Sequence, residues 1–324
     1  MREFDWITAL AERFGRTGPG VTVGIGSDCA VLAPAPATPI VTIDTMVQSV
    51  HFDLDYMTWA DAGYRAVTTA LSDLAAGGAD PDLPIVAFLS AAIPATVRDE
   101  DLAEMRDGMA EAFEKYGVTL GGGDTVAIPG PMVLTCTFIG HAPKPMTRDG
   151  AKVGDAVMVA GHLGAAGAAV HLLRNQQARM DDDALLAAYR RPEALIGLGR
   201  ALADLGATAC ADVSDGLLAD AAHIAEQSGL ALHLSLDAIP THPALAAHPA
   251  FDDEERLRLS ATAGDDYALV FTVPRDLVGN TVALAARFRV PCVHFGECVE
   301  GRPGAIESTW RGEAYTPEKL GYEH

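Results

Sequence analysis

Residues 143–155 read Pro143-Lys144-Pro145-Met146-Thr147-Arg148-Asp149-Gly150-Ala151-Lys152-Val153-Gly154-Asp155, a stretch rich in proline, glycine and charge. Proline fixes φ and lacks an N–H, and glycine loosens the backbone, so neither a helix nor a central strand is expected to run through it. The break predicts two domains, residues 1–145 and 146–324. That division suits a chain of 324 residues, 49% of them hydrophobic.

Toward the N-terminus, Phe4, Ile7, Leu10 and Phe14 fall on one side of a helix over 3–15, with Gly15 as its stop. Apolar runs follow at 30–32 and 40–47, helical spacing at 58–78 and 98–116, and strand patterns at 84–93 and 132–140. Toward the C-terminus the pattern predicts a strand at 156–160 and helices at 164–174, 183–188, 192–205 and 216–228. Strands are predicted at 230–236 and 267–273, and residues 237–260 read as a His- and Pro-containing loop. Both halves mix strands with helices, which indicates an α/β or α+β class.

The net charge is −21 and the sequence pI about 4.7. Such a chain lacks the clustered Lys and Arg that nucleic acid or an anionic membrane demands. The five cysteines, Cys29, Cys136, Cys210, Cys292 and Cys298, form no CxxC pair and are expected to be reduced and mostly buried. The first residues are charged where a signal peptide has its apolar core, and no run is long enough to span a bilayer, so a cytoplasmic protein is expected.

Five motifs set aspartate beside glycine or another small residue: Gly24-Ile25-Gly26-Ser27-Asp28, Thr42-Ile43-Asp44-Thr45, Ser72-Asp73, Gly121-Gly122-Gly123-Asp124-Thr125 and Asp212-Val213-Ser214-Asp215-Gly216. Most are expected at strand ends or turns, where Asp and Gly also serve as plain turn and capping residues. Asp44 closes an apolar run, however, and Asp73 lies in the apolar helix segment Ala70-Leu71-Ser72-Asp73-Leu74-Ala75-Ala76. A lone carboxylate in such a place is costly unless a cation shares it. Mg2+ takes a few carboxylates and leaves positions for phosphate, so the set reads as a metal cluster for a nucleotide. No P-loop and no HRD or DFG kinase sequence is present.

In their order and spacing these motifs, with Val50-His51-Phe52 and Ala263-Gly264-Asp265-Asp266-Tyr267, resemble the thiamine-monophosphate kinase family. Its superfamily also holds aminoimidazole ribonucleotide synthetase, selenide water dikinase and a carbamoyl-dehydrating hydrogenase maturation factor. The resemblance implies an α/β (α+β) two-domain fold, with a β-rich N-terminal domain that pairs two copies into a homodimer and a C-terminal α/β domain. It further implies ATP between the domains, several Mg2+ ions, and thiamine monophosphate as acceptor. By position, Asp28, Thr42, Ile43 through its carbonyl, Asp44, Asp73, Asp124, Asp212 and Asp215 are the implied metal ligands. Gly123, Asp124, Arg148 and Ser214 are implied for ATP, and His51, Asp265 and Tyr322 for the acceptor.

Arg148 in a Gly- and Pro-flanked loop has the fork to clamp phosphate. Ser214, just before a helical run, is expected to offer its hydroxyl and backbone N–H, or else to cap that helix. The chain departs from the family pattern at Ser27, at Gln48-Ser49, at Gly78, at Val126, and at Asp265, where Glu is usual. A phosphate monoester is mostly dianionic at neutral pH, its second pKa being about 6. It needs no general base, so direct in-line transfer without a catalytic proton shuttle is expected. The alternatives are ribonucleotide cyclisation of the synthetase type and a non-catalytic Mg-ATP-binding regulatory dimer.

Overall fold

The computed structural model describes residues 3–25, 29–178 and 182–322. The chain divides into two compact units: Met1–Leu74 with Ala79–Pro143, and Ala75–Gly78 with Lys144–His324.

In the first unit the elements run α1 (Glu3–Phe14), β1 (Val21–Val23), β2 (Val31–Leu32), β3 (Thr38–Val47), α2 (Trp59–Ala76), β4 (Ile85–Pro94), α3 (Asp99–Tyr116), β5 (Val118–Ile128) and β6 (Val133–Ala142). A four-stranded sheet has the order β3-β6-β4-β5, and β1 and β2 make a separate antiparallel pair. Strands β4 and β5 are parallel and joined through α3, while β6 is antiparallel to both of its neighbours.

The alternation along β3 sets the two faces of that sheet. Thr42, Asp44 and Met46 point one way and are half-buried or buried, whereas Val41, Ile43 and Thr45 are exposed. Small residues let α2 and α3 pack closely: Ala62, Ala66, Val67, Ala70 and Leu71 are all within 2% of full burial. At Gly108 of α3 an added Cβ would lie 1.9 Å from the Ala60 carbonyl oxygen of α2, so only glycine fits.

In the second unit the strands are β7 (Ala156–Ala160), β8 (Ala209–Asp212), β9 (Ala231–Ser235), β10 (Leu269–Val273), β11 (Cys292–Val299), β12 (Ile306–Trp310) and β13 (Glu313–Tyr315). They form one sheet in the order β13-β12-β9-β11-β7-β10-β8, antiparallel except where β12 lies beside β9. The helices are α4 (Ala165–Arg174), α5 (Asp183–Arg190), α6 (Ile196–Leu205), α7 (Leu217–Gln227), α8 (Pro243–Ala247), α9 (Asp253–Thr262) and α10 (Val278–Arg287). Leu217, Leu218, Ala221 and Ile224 of α7 pack on Val157, Val159, Ala211 and Val270 of the sheet, all within 1% of full burial. Among the described residues no helix is long and apolar enough to cross a membrane.

Several elements differ from the sequence expectation. Gly121-Gly122-Gly123-Asp124-Thr125 is not a turn but the middle of the eleven-residue strand β5, because strand pairing on β4 overrides the low β propensity of glycine. The 237–260 segment is largely structured, with a 3-10 turn at Leu236–Ala238, then α8, then α9. A capping box opens α9: Asp252 accepts from the Glu255 N–H and Glu255 from the Asp252 N–H. Strands β8, β11, β12 and β13 and helix α10 had no strong periodicity and were not predicted.

Candidate functional site

In the first unit, β3 and α2 face each other through two reciprocal pairs. The Thr42 hydroxyl donates to Asp73 Oδ2 at 2.6 Å, and the Thr69 hydroxyl donates to Asp44 Oδ2 at 2.9 Å. Residues two apart on a strand and four apart on a helix share a face, so Thr42 and Asp44 meet Asp73 and Thr69 as a group. Both carboxylates are half-buried. Asp44 lies opposite Cys136 in the sheet; burial, with the Asp44 charge adding to it, pushes that thiol up to about 12.

His51 follows in the turn after β3, its Nδ1 accepting from the Val47 N–H at 3.1 Å and its own N–H bonded to the Val47 carbonyl. Asp28 lies outside the described residues.

Asp124 does not join this group. Its register row runs Thr45, Thr135, Ser90, Asp124, whereas that of Asp44 runs through Cys136, Leu89 and Gly123. Successive rows face opposite sides, and the Thr45 and Thr135 hydroxyls meet at 2.9 Å on the exposed one. Asp124 is therefore on the far face of the sheet and three strands from Asp44, roughly 14 Å at about 4.8 Å per strand. In the same unit a cavity of about 810 Å³ is lined by Gly121–Thr125 together with Thr135, Thr137, Arg16 and Ile25. At Gly123 an added Cβ would meet the Leu89 carbonyl at 2.1 Å, so that lining strand stays bare of side chains there.

In the second unit the loop 213–216 between β8 and α7 gathers the other predicted residues. Asp212 ends β8 and is 2% exposed. The Asp265 N–H donates to the Ser214 carbonyl, the Tyr267 N–H to that of Val213, and the Tyr322 N–H to that of Asp215. Asp265 and Tyr267 hold φ of 71° and 52°, in the left-handed region that non-glycine residues rarely adopt. The Tyr267 hydroxyl donates to Asp265 Oδ1 at 2.9 Å, steering that carboxylate. Arg148 belongs to the strip whose Thr147 carbonyl accepts from the Cys210 N–H of β8. Asp265 and Tyr322 are thus tied by backbone hydrogen bonds to the loop that carries Ser214 and Asp215 after β8.

Ser214 does not serve as predicted in one respect. Its N–H, with those of Asp215 and Gly216, donates to Asp220 Oδ2, each at 3.1 Å, so these groups are not left for a phosphate. Nor is Ser214 the cap of α7, which is Gly216.

Asp220, missed by the sequence reading, is 1% exposed. Burial lifts its carboxyl to about 7, helped by the Asp215 charge and opposed by the backbone N–H groups and Arg148. Asp266, also missed, accepts from the Gly164 N–H at 2.7 Å at the start of α4. Desolvation raises its carboxyl well above the usual range, the Gly164 N–H opposing and the Asp265 charge adding. The signal for Asp220 was available: one acid in the first turn of an otherwise apolar helix, Leu217-Leu218-Ala219-Asp220-Ala221-Ala222.

The family model for the AIR synthase related protein N-terminal domain matches residues 26–142, and that for the C-terminal domain matches residues 152–308. The chain is thus an AIR synthase-related protein with both of that class's domains. A thiamine-monophosphate kinase of Caulobacter vibrioides is 37% identical over 330 residues, covering 99% of this chain and 90% of that protein. The crystal structure of thiamine-monophosphate kinase from Stenotrophomonas maltophilia is 30% identical, with a TM-score of 0.83 over 97% of this chain and 98% of that one. A chain named AaThiL, solved complexed with AMPPCP and TMP, shares the fold at 24% identity and a TM-score of 0.75, covering 100% of this chain and 99% of its own. The chain belongs to the thiamine-monophosphate kinase family.

Proposed function

We propose that this protein transfers the γ-phosphoryl group of ATP to thiamine monophosphate, giving thiamine diphosphate and ADP. The observation that carries the reading is the full-length likeness, 37% identity over 99% of the chain, to a protein named for this activity. The backbone hydrogen bonds that bring Asp265 and Tyr322 against Ser214 and Asp215 support it.

The donor chemistry fits Mg2+. Asp44 and Asp73 each take a hydroxyl on one oxygen and keep acceptor capacity on the carboxylate, and Thr42 adds a hydroxyl oxygen. Such an all-oxygen set suits a hard cation. We assign Thr42, Asp44, Asp73 and the Ile43 carbonyl in the first unit, and Asp212 and Asp215 in the second, as ligands of several Mg2+ ions, with Asp28 completing the set; Asp124, on the far face of the sheet from Asp44, can serve only an ion apart from the Asp44 and Asp73 group. When bound, Mg2+ neutralises the phosphate oxygens and the charge that develops on them during transfer.

Gly123 and Asp124, Arg148 and the Ser214 hydroxyl are assigned to ATP. His51, Asp265 and Tyr322 are assigned to the acceptor, with the Tyr322 ring, 53% exposed, as the surface on which a heterocycle would stack. The acceptor phosphate is already a nucleophile, so these residues orient it and no side chain removes a proton.

The exposed face of the first unit's sheet carries Val41 at 63%, Ile43 at 67% and Val126 at 53% exposure. Burying such residues is favourable, and a second copy of the chain is the partner we assign to them. The acidic chain is assigned to the cytoplasm. The test is purified protein with Mg-ATP and thiamine monophosphate, scored for thiamine diphosphate and ADP; absence of the diphosphate would overturn the assignment.

A further inference from the structure

The loop 213–216 uses up its own backbone. Its carbonyls at Val213, Ser214 and Asp215 accept from Tyr267, Asp265 and Tyr322, while its N–H groups at Ser214, Asp215 and Gly216 all converge on one oxygen of Asp220. The fourth N–H, that of Val213, pairs with the Ala268 carbonyl at 2.7 Å.

The alternatives to this arrangement are closed off by close packing. Gly216 holds φ of 133°, and an added Cβ there would meet the Thr262 carbonyl at 2.8 Å. At Gly264 an added Cβ would meet the Ser214 carbonyl at 2.3 Å. A carboxylate that takes three consecutive N–H groups fixes three consecutive peptide planes, and the direction of the side chains between them follows.

We propose that Asp220 is a positioning residue for the phosphate and metal loop, holding the backbone of Ser214, Asp215 and Gly216 so that the side chain of Asp215 stands ready for its ion. The role rests on the kinase reading above. It has a consequence for charge: the N-terminal end of α7 is spent on a side chain of the same helix rather than on substrate phosphate. The compensating positive charge has to come from the ions and from Arg148.

The competing role is direct ligation, since Asp215, Asp220 and His223 offer ligand atoms within 4.8 Å of one another. The two roles separate by substitution. All three N–H groups use Oδ2 alone, so an Asn carbonyl can stand in for it, while an Asn amide nitrogen cannot ligate Mg2+.

The experiment pairs Asp220→Asn with Asp220→Ala and reads two things: hydrogen exchange at amides 214–216 without nucleotide or metal, and the Mg2+ concentration giving half-maximal turnover. Positioning predicts that Asp220→Ala loses protection at the three amides and needs about tenfold more Mg2+ or beyond, the usual scale for losing a group that orients a ligand. Asp220→Asn should restore the protection and most of the Mg2+ response. Loss of Mg2+ response in Asp220→Asn with protection intact would overturn the role in favour of ligation, and unchanged exchange in Asp220→Ala would overturn it outright. Should Asp220→Ala fail to fold, Asp220→Asn alone decides, by protection and Mg2+ response retained or lost. A wild-type protein without turnover would sink the kinase reading instead, leaving the exchange data to judge the hold of Asp220 on the loop.

Discussion

The Thr42 hydroxyl of β3 donates to Asp73 Oδ2 of α2 across 2.6 Å, and the same two elements repeat the exchange in reverse through Thr69 and Asp44. Each carboxylate is thereby aimed by a neutral group that leaves its charge in place. Thr42→Val should remove one such aim. It is expected to cost about 1 kcal/mol of stability, the usual net worth of a hydrogen bond, and to raise the Mg2+ requirement. Denaturant melts and a Mg2+ titration of turnover check this; an unchanged Mg2+ response would show that the hydroxyl neither ligates nor orients.

Asp44→Asn keeps shape and the acceptor for Thr69 but discards the charge. Turnover should fall by at least about a hundredfold, on the scale seen when a group stabilising transition-state charge is removed. Circular dichroism and the melting temperature should stay near wild type. A variant with near-normal kcat would mean that Asp44 holds no ion.

The thiols should divide four to one. Cys136, Cys292 and Cys298 are each pushed up to about 12 by burial, and Cys210 higher still for the same reason. At pH 8 these groups are therefore protonated and enclosed, whereas Cys29 is exposed. Alkylation of the native protein at pH 8 should label Cys29 alone, and the other four only in denaturant. Rapid labelling of more than one thiol would contradict the burial.

Val41→Glu with Val126→Glu places two charges on the exposed sheet face, on the side opposite Thr42 and Asp44 and the same side as Asp124. Light scattering should show a lighter species than wild type if a second copy covers that face. The same mass for both proteins would remove the dimer assignment.

Much of this was legible in the chain because local pattern and tertiary role agree. Helices α2 and α3 repeat their apolar residues at helical spacing, β7 is an unbroken apolar run, and β10 is apolar but for Thr272. The Asp44 and Asp73 pair could be suspected because an acid in an apolar segment needs a reason. Strand β5 was hidden because its three glycines signal a turn, and only pairing with β4 holds them extended. The separation of Asp124 from Asp44 was hidden too, since which face a residue takes depends on register, and one residue of slip reverses it. Asp220 went unread for a different reason. A first-turn acid usually serves the helix dipole in solvent, and nothing local says that this one folds back onto the loop before it.

The close crossing at Gly108 carries a consequence for heredity rather than for chemistry. A methyl group there would push α2 off α3 and leave every ligand of the site chemically intact. Overpacking of that kind costs about 1–3 kcal/mol, enough to empty a cell of folded enzyme when it is warm and to spare it when it is cool. Gly108→Ala is therefore the kind of lesion expected to surface as a temperature-sensitive allele, with too few folded molecules surviving when the cell is warm.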